Sequence, residues 1–136
     1  MIKPIMKNEQ FLKQPSTKAT KADLAIAQDL QDTLIAHHDH CVGMAANMIG
    51  QRKNIIVVDI MGMPVIMINP SITKKSIPYQ TTEGCLSLTG QRPTLRFKKI
   101  TIKYLDTSFK TQIAEFSDFT AEIIQHEIDH TKGILI

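Results

Sequence analysis

Aromatic side chains are scarce in this sequence of 136 residues, which contains no tryptophan, two tyrosines and five phenylalanines. A hydrophobic core must therefore be built from aliphatic residues and the seven methionines. The 43% of hydrophobic residues and 21% of charged residues are ordinary values for a globular protein. A chain of this length fits one compact domain that buries about two-thirds of its unfolded surface, so we expect a single domain over residues 1–136.

Long apolar runs, a secretory signal and a cysteine framework are also lacking. The first residues, MIKP, contain no apolar stretch of the kind that forms a signal peptide, and no run approaches the roughly 20 residues of a membrane span. Two cysteines, Cys41 and Cys85, are too few for a disulfide framework and fit a reducing compartment. We therefore expect a cytoplasmic protein without a membrane partner.

Charge of one sign does not dominate, because the net charge is only +3 and the basic residues are scattered. The one dense basic group comprises Arg92, Arg96, Lys98 and Lys99, beside a predicted strand. No series of aromatic residues accompanies it on which bases could stack. We interpret this group as a solvated face and expect no DNA partner.

Two helices are predicted, one in each half of the chain. Residues 1–19 are expected to be irregular because prolines interrupt them. Thr20 and Asp23 form a pair like a capping box, and the apolar residues that follow at helical spacing predict a helix over about 21–37. Ser and Asp at helix-start positions, with Lys and Gly after the end, predict a second helix over about 119–130.

Short strands are predicted between these helices. Residues 55–58 and 65–68 are rich in Ile and Val and are joined through MGMP, which is typical of a hairpin. Residues 100–104 alternate between apolar and polar, and a turn then leads to a strand through residues 113–116. This order indicates an α+β fold, with antiparallel strands packed around the second helix and the N-terminal helix as scaffold.

The strongest chemical signal is QHEIDH, which contains H-E-x-x-H. Four residues apart on a helix, His126 and His130 project from one face and can bind one metal ion, while Glu127 can reach a water molecule there. Phe119 and Ile123 fall on the same stripe, so we expect the site to face the packed interior. The alternative is two surface histidines spaced by accident, which for three fixed residues in a chain this long has a chance on the order of one per cent or less.

A catalytic metal site of this kind needs a third protein ligand and an open position. Few residues follow His130, so we expect the third ligand upstream. Cys85, in the segment EGCLS, is the best candidate, since a thiolate is a good ligand and Gly84 permits close approach of the backbone. Taken alone, Cys85 would more often be a buried free thiol.

A second group of metal-binding residue types follows the first predicted helix and comprises His37, His38, His40 and Cys41. Imidazolium groups complement the dipole at a helix C-terminus. No carboxylate nearby is positioned as Glu127 is, so we interpret this group as a solvated helix end.

Three segments together resemble the peptide deformylases, which remove the formyl group from the N-terminal formylmethionine of nascent bacterial proteins. The family pattern is G-x-G-[L/M]-A-A-x-Q, then E-G-C-x-S, then Q-H-E-x-D-H. Here the segments read CVGMAANM at 41–48, EGCLS at 83–87 and QHEIDH at 125–130. Their order and spacing match over nearly the whole chain. The resemblance implies a cytoplasmic metallo-hydrolase of protein biosynthesis that acts on a carbon–nitrogen bond other than a peptide bond.

The resemblance also implies a role for each matched position. Cys85, His126 and His130 would bind one divalent metal ion, Fe²⁺ in the cell, with Ni²⁺ or Zn²⁺ as substitutes. Glu127 would carry the proton from the attacking water to the leaving amine. The backbone N–H of Leu86 would stabilise the oxyanion formed at the formyl carbon.

Substrate contacts are implied in the same way. Val42, Gly43 and Ile123 would line the groove for methionine, with a formylmethionyl peptide or nascent chain as the partner. A transient contact with the ribosome is a further partner that the resemblance implies.

The sequence departs from the family pattern at Cys41, which replaces the first glycine, and at Met48, which replaces the glutamine whose amide donates to the oxyanion. Methionine cannot donate a hydrogen bond. Either Met48 leaves the oxyanion short of one donor, or it is a packing residue and Asn47 or Gln51 supplies the donor.

Three hypotheses follow. The first is a peptide deformylase, and the second is a deformylase-like metal-binding paralogue with weak activity or another N-acyl amide substrate. The third is a structural metal module, which Glu127 argues against because a structural site needs no base.

Overall fold

A five-stranded antiparallel sheet carries a helix on each face in the computed structural model, which describes residues 1–135. The elements in chain order are α1 (Glu9–Leu12), a 3-10 turn (Lys21–Asp23), α2 (Leu24–Ala36), β1 (Gly43–Ala45), a second 3-10 turn (Ala46–Ile49), β2 (Ile55–Ile60), β3 (Met63–Cys85), β4 (Leu88–Leu105), β5 (Thr111–Ser117) and α3 (Asp118–Thr131). The predicted α+β fold is confirmed. Within the same residues, no helix is both long enough and apolar enough to cross a membrane.

The sheet follows the chain, since its strand order is β1-β2-β3-β4-β5 and each strand pairs antiparallel with the next. The predicted hairpin at residues 55–68 is confirmed, since β2 pairs there with the start of β3. The β3–β4 hairpin is much longer than the strands predicted there, since it runs on until Cys85 pairs with Leu88. Much of its outer part is exposed and polar. In this outer part the two strands are held together by cross-strand hydrogen bonds, which leave no hydrophobic pattern in the sequence.

Strand β2 is buried on both faces. Ile55 and Val57 belong to the apolar cluster under α2, whereas Ile56 and Val58 belong to the cluster under α3. Successive side chains point to opposite faces of a sheet, so this continuous apolar run can fill two cores at once. Each such fully buried side chain contributes about 1.5–3 kcal/mol of hydrophobic stabilisation.

The N-terminal part of the chain covers the face of the sheet that packs against α2. The predicted capping pair is confirmed, because the Thr20 N–H donates to the Asp23 carboxylate at 2.8 Å before α2 begins. Residues 1–19 are not wholly irregular as predicted, since they contain the single turn α1. Asn8 caps that turn by accepting from the Phe11 N–H at 3.2 Å, and Leu12 is buried. One buried leucine gives too little periodicity for a sequence pattern to reveal.

Candidate active site

The end of β3 and the face of α3 bring the three predicted metal ligands together. The Cys85 sulfur and one ring nitrogen each of His126 and His130 all lie within 4.8 Å of one another. The two Nε2 atoms are 3.0 Å apart. Cys85 stands at the tip of the long hairpin, and the histidines stand one helical turn apart, so two distant segments build one cluster.

This cluster fits a divalent transition metal. One thiolate and two imidazoles form a donor set that such ions favour. Burial, with the charge of His126, lowers the pKa of His130 to about 3, so its ring is neutral as a metal ligand must be. Burial alone would lower the pKa of His126, but hydrogen bonds with Cys85 and Glu83 outweigh it and raise that pKa to about 10. The surroundings therefore favour a positive charge where the two rings meet.

A buried ionic network holds the His126 ring in place. Its Nδ1 lies 2.7 Å from a carboxylate oxygen of Glu83, which leaves Nε2 turned toward Cys85 and His130. Arg96 donates to Glu83 at 2.7 Å and to Asp129 at 2.6 Å. Burial opposes ionisation of Glu83, yet hydrogen bonds from His126 and Arg96 prevail and lower its pKa to about 2.

The interpretation of the basic group as a solvated face is wrong for Arg96, which is only 3% exposed. Its guanidinium joins two carboxylates, one from the hairpin and one from α3. Charged residues are buried in this way when they are paired. Glu83 and Asp129 lie inside the matched motifs, but no spacing rule linked Arg96 to either of them.

Glu127 lies buried beside the cluster. One of its carboxylate oxygens has no hydrogen-bond partner within the described residues 1–135. Burial is the largest cause that raises its pKa, to about 7, a value suited to a base that works near neutral pH. Gly43 allows this packing, since a Cβ there would lie 2.7 Å from Cγ2 of Ile123 and 3.1 Å from the Glu127 carboxylate.

A cavity of about 650 Å³ opens in front of these groups. It is lined by the predicted site residues other than His130, namely Val42, Gly43, Met48, Cys85, Leu86, Ile123, His126 and Glu127. His130 lies behind them and is almost fully buried. The prediction that the stripe of α3 faces the interior is wrong for Phe119, which lines the cavity but is 62% exposed. It lies in the first turn of the helix, where the cavity opens to solvent.

Met48 lies at the inner wall of this cavity. It is buried, and its sulfur accepts a hydrogen bond from the Ala45 N–H at 3.4 Å. The Asn47 amide donates instead to the His130 backbone carbonyl at 2.8 Å, and Gln51 is exposed and does not line the cavity. Neither alternative donor therefore reaches the space in front of Cys85.

The group after α2 does not gather into a metal site in residues 1–135. His38 and His40 are exposed, and the His37 ring contacts the Thr33 carbonyl of its own helix. Burial and the charge of Glu127 raise the pKa of Cys41 to about 12, so it stays a thiol and donates to the Gly43 carbonyl at 2.8 Å.

Known proteins resemble this chain in both sequence and fold. A family model described as polypeptide deformylase matches residues 2–136. The peptide deformylase of Clostridium beijerinckii is 53% identical over 136 residues, which are all of both chains. The peptide deformylase of Thermotoga maritima superposes with a TM-score of 0.88 at 27% identity, covering 99% of this chain and 95% of that one. The Met-Ala-Ser-bound class I type b peptide deformylase of Acinetobacter baumannii gives 0.88 at 29% identity, covering 99% and 97%.

Proposed function

The chain belongs to the peptide deformylase family, and we propose that it removes the formyl group from the N-terminal formylmethionine of newly made proteins. It is a metal-dependent hydrolase of a formyl-amide carbon–nitrogen bond. The observation that carries the proposal is the juxtaposition of Cys85, His126 and His130 with a buried carboxyl group, Glu127, on the wall of a substrate-sized cavity.

Cys85, His126 and His130 hold the metal ion in this proposal. When bound, a divalent ion there polarises the formyl carbonyl and lowers the pKa of a water molecule toward neutrality. The ion is Fe²⁺ in the cell, and Ni²⁺ or Zn²⁺ can replace it. Glu83 acts from behind, because its hydrogen bond to Nδ1 keeps the His126 ring in the orientation that presents Nε2.

Glu127 moves the proton. It accepts a proton from the water that attacks the formyl carbon and passes that proton to the nitrogen as the carbon–nitrogen bond breaks. The products are formate and a free amino terminus. The backbone N–H of Leu86 donates to the oxyanion, and Met48 has no donor with which to add a second hydrogen bond.

The peptide lies in the cavity with its first side chain along α3. Val42, Gly43, Met48 and Ile123 contact that residue. The Met-Ala-Ser peptide bound to the Acinetobacter baumannii enzyme supports a methionyl peptide as the occupant. Nascent chains in the cytoplasm are the substrates that this activity requires, and a transient contact with the ribosome would deliver them.

Formate release from formyl-Met-Ala-Ser by protein loaded anaerobically with Fe²⁺ tests this function. We expect turnover by the wild type, and loss of both bound metal and turnover in Cys85→Ser and His126→Ala. Cys41→Ser is the matched control and should keep its metal, because Cys41 is a protonated thiol. Full metal occupancy in either ligand variant would contradict the assignment.

A weakly active paralogue is the second candidate, and Met48 is the observation behind it. The full-length identity of 53% to a curated deformylase does not favour it. Turnover of formyl-Met-Ala-Ser no faster than that of an acetylated counterpart would favour it instead.

A further inference from the structure

Glu122 connects the wall of the cavity to the ionic network behind the metal ligands. It lies in the first half of α3 and lines the cavity. The Tyr79 hydroxyl donates to its Oε1 at 3.3 Å. Glu122 also shares a hydrogen bond with the carboxyl group of Glu83, which in turn holds the His126 ring. A continuous series of hydrogen bonds therefore runs from Tyr79 through Glu122 and Glu83 to His126.

The hydrogen bond between the two glutamates requires a proton. Two ionised carboxylates repel each other and neither can donate, so one of the pair must be protonated. Glu83 stays ionised, because hydrogen bonds from His126 and Arg96 outweigh its burial and lower its pKa to about 2. Burial and the hydrogen bond with Glu83 raise the pKa of Glu122, and within residues 1–135 no ion pair includes Glu122. The proton therefore lies on Glu122, which is the donor.

Glu83 is the group that this donor holds in place. Its Oε1 lies 2.7 Å from the Nδ1 of His126 and accepts from the Nη2 of Arg96 at 2.7 Å, while its Oε2 accepts from the Nε of Arg96 at 3.0 Å. Arg96 is not reserved for Glu83, because it also donates to Asp129 at 2.6 Å. The hydrogen bond from Glu122 adds a second point of attachment, from an element that also carries His126.

We propose that Glu122 is a positioning residue, a neutral hydrogen-bond donor that holds Glu83 against the His126 ring and so keeps the Nε2 of His126 directed at the metal position. The kinetic part of this inference rests on the proposed function, whereas its metal-binding part does not.

A neutral Glu122 also agrees with a methionyl substrate. A carboxylic acid that donates to Glu83 and accepts from Tyr79 presents no net charge to an apolar side chain that lies along α3. Its polar atoms are paired within the protein, so covering it with a methionine side chain leaves no charge without a partner.

The size of the effect follows from the distance to the metal. Loss of a group that is hydrogen-bonded to a metal-ligating histidine typically costs about 10- to 100-fold in metal affinity or activity. Glu122 stands one hydrogen bond further away, behind Glu83, so we expect a smaller effect of about three- to tenfold.

Two substitutions separate hydrogen bonding from charge. Glu122→Gln is the conservative variant, because its amide can donate to Glu83 and accept from the Tyr79 hydroxyl as the protonated carboxyl group does. Glu122→Leu removes the donor and keeps a side chain of similar length. Glu115→Gln is the matched control, because it removes a carboxyl group from an exposed strand position outside the cavity.

We would measure Ni²⁺ dissociation constants by competition with a chelator, and kcat and KM for formyl-Met-Ala-Ser with the Ni²⁺-loaded proteins. Glu122→Leu should raise the Ni²⁺ dissociation constant by about three- to tenfold and lower kcat by a similar factor. Its KM should be unchanged or lower, because the groove becomes more apolar. Glu122→Gln and Glu115→Gln should stay within about twofold of the wild type in both dissociation constant and kcat.

A Ni²⁺ dissociation constant of Glu122→Leu within about twofold of the wild type would overturn the proposal, whether or not its melting temperature falls. Equal weakening in Glu122→Gln and Glu122→Leu would also overturn it, because the proposal requires a donor and not a charge. If Glu122→Leu does not fold, Glu122→Ala takes its place, since alanine is well tolerated in a helix. If the wild type releases no formate, the deformylase proposal fails, and the Ni²⁺ affinities still decide the role of Glu122.

Discussion

The two faces of the sheet are covered by helices of similar length, yet they bury different chemistry. Under α2 the buried residues of the helix are Ala27, Leu30, Thr33 and Leu34. On α3 the buried residues include Gln125, His126, Glu127, His130 and Thr131 among the aliphatic ones. The core under α2 is almost entirely apolar. In the core under α3, about half of the buried residues that the helix supplies are polar.

The difference shows what each helix contributes to the molecule. Burying ionisable groups costs free energy unless each finds a partner, and replacing a buried ion pair by apolar residues is often neutral or stabilising. The ionisable residues His126, Glu127 and His130 therefore serve the site and not the fold, whereas the Gln125 amide ties α3 to the backbone of Phe97 on β4. The α2 face, by contrast, supplies stability mainly through apolar contact, and its one buried polar side chain, Thr33, is paired with the backbone of Lys3 and Asp29.

Glu127→Gln is the strongest test of the difference between the α2 and α3 faces of the sheet. We expect a loss of about 100- to 10,000-fold in formate release, because the amide fills the space without accepting a proton. Thermal stability should be kept or raised, since a neutral amide replaces a carboxyl group whose pKa burial already raises to about 7. Metal content and melting temperature are the accompanying measurements. Undiminished turnover would remove Glu127 from the mechanism.

Arg96→Met should affect both stability and activity. It leaves the Glu83 and Asp129 carboxylates without their cation, and breaking a buried pair in this way costs about 3–5 kcal/mol of unfolding free energy. Denaturant unfolding measures this cost, and metal affinity reports the loosened His126 ring. Lys99→Met is the control, because it breaks an exposed pair with Glu115 and should change stability little. Equal losses in the two variants would contradict the role assigned to the network.

Leu30→Ala tests the opposite face. Leu30 is fully buried in the cluster under α2, so we expect a loss of about 2–5 kcal/mol in unfolding free energy. The turnover of the molecules that remain folded should be unchanged, as measured well below the melting temperature. If turnover per folded molecule fell as far as in Glu127→Gln, the two faces would not be separable.

Met48→Gln has the smallest expected effect, and its direction is a gain. A glutamine amide could donate to the oxyanion, which would lower the barrier by about 1.4–4 kcal/mol and raise turnover by about ten- to a thousandfold. Met48 also accepts from the Ala45 N–H, and a glutamine oxygen can do the same. Asn47→Ala and Gln51→Ala are the comparison variants, with no loss of oxyanion stabilisation expected. A neutral Met48→Gln would assign Met48 to packing.

Much of the fold and the centre of the site could be predicted from the sequence because their signals are local. Helical spacing places His126 and His130 on one face. Runs of β-rich residues mark β2 and the start of β3, and the alternation over residues 100–104 marks the end of β4. The hairpin of β3 and β4 was underestimated because its outer part is stabilised by pairing and not by burial. Arg96 was misjudged for a related reason, since its carboxylate partners come from two other segments of the chain.

The place of Glu122 could not be predicted from the sequence either, because it depends on contacts between distant segments. In sequence it is one more charged residue at the start of a helix, and nothing local distinguishes it from Asp118. Only the packing of α3 against the end of the hairpin turns one of these carboxyl groups toward the cavity. The resemblance to a family identified the reacting groups, whereas the place of Glu122 in the cavity wall is visible only in the fold.

The contact between Glu83 and His126 joins positions 43 residues apart in the chain. Closing so long a segment costs chain entropy before the contact is gained, so we expect this contact to form late in folding. The hairpin tip and the last helix must both be in place before Cys85 meets the two histidines. We therefore expect metal binding to require complete folding. A chain that has paired its strands but not docked α3 would not hold its ion.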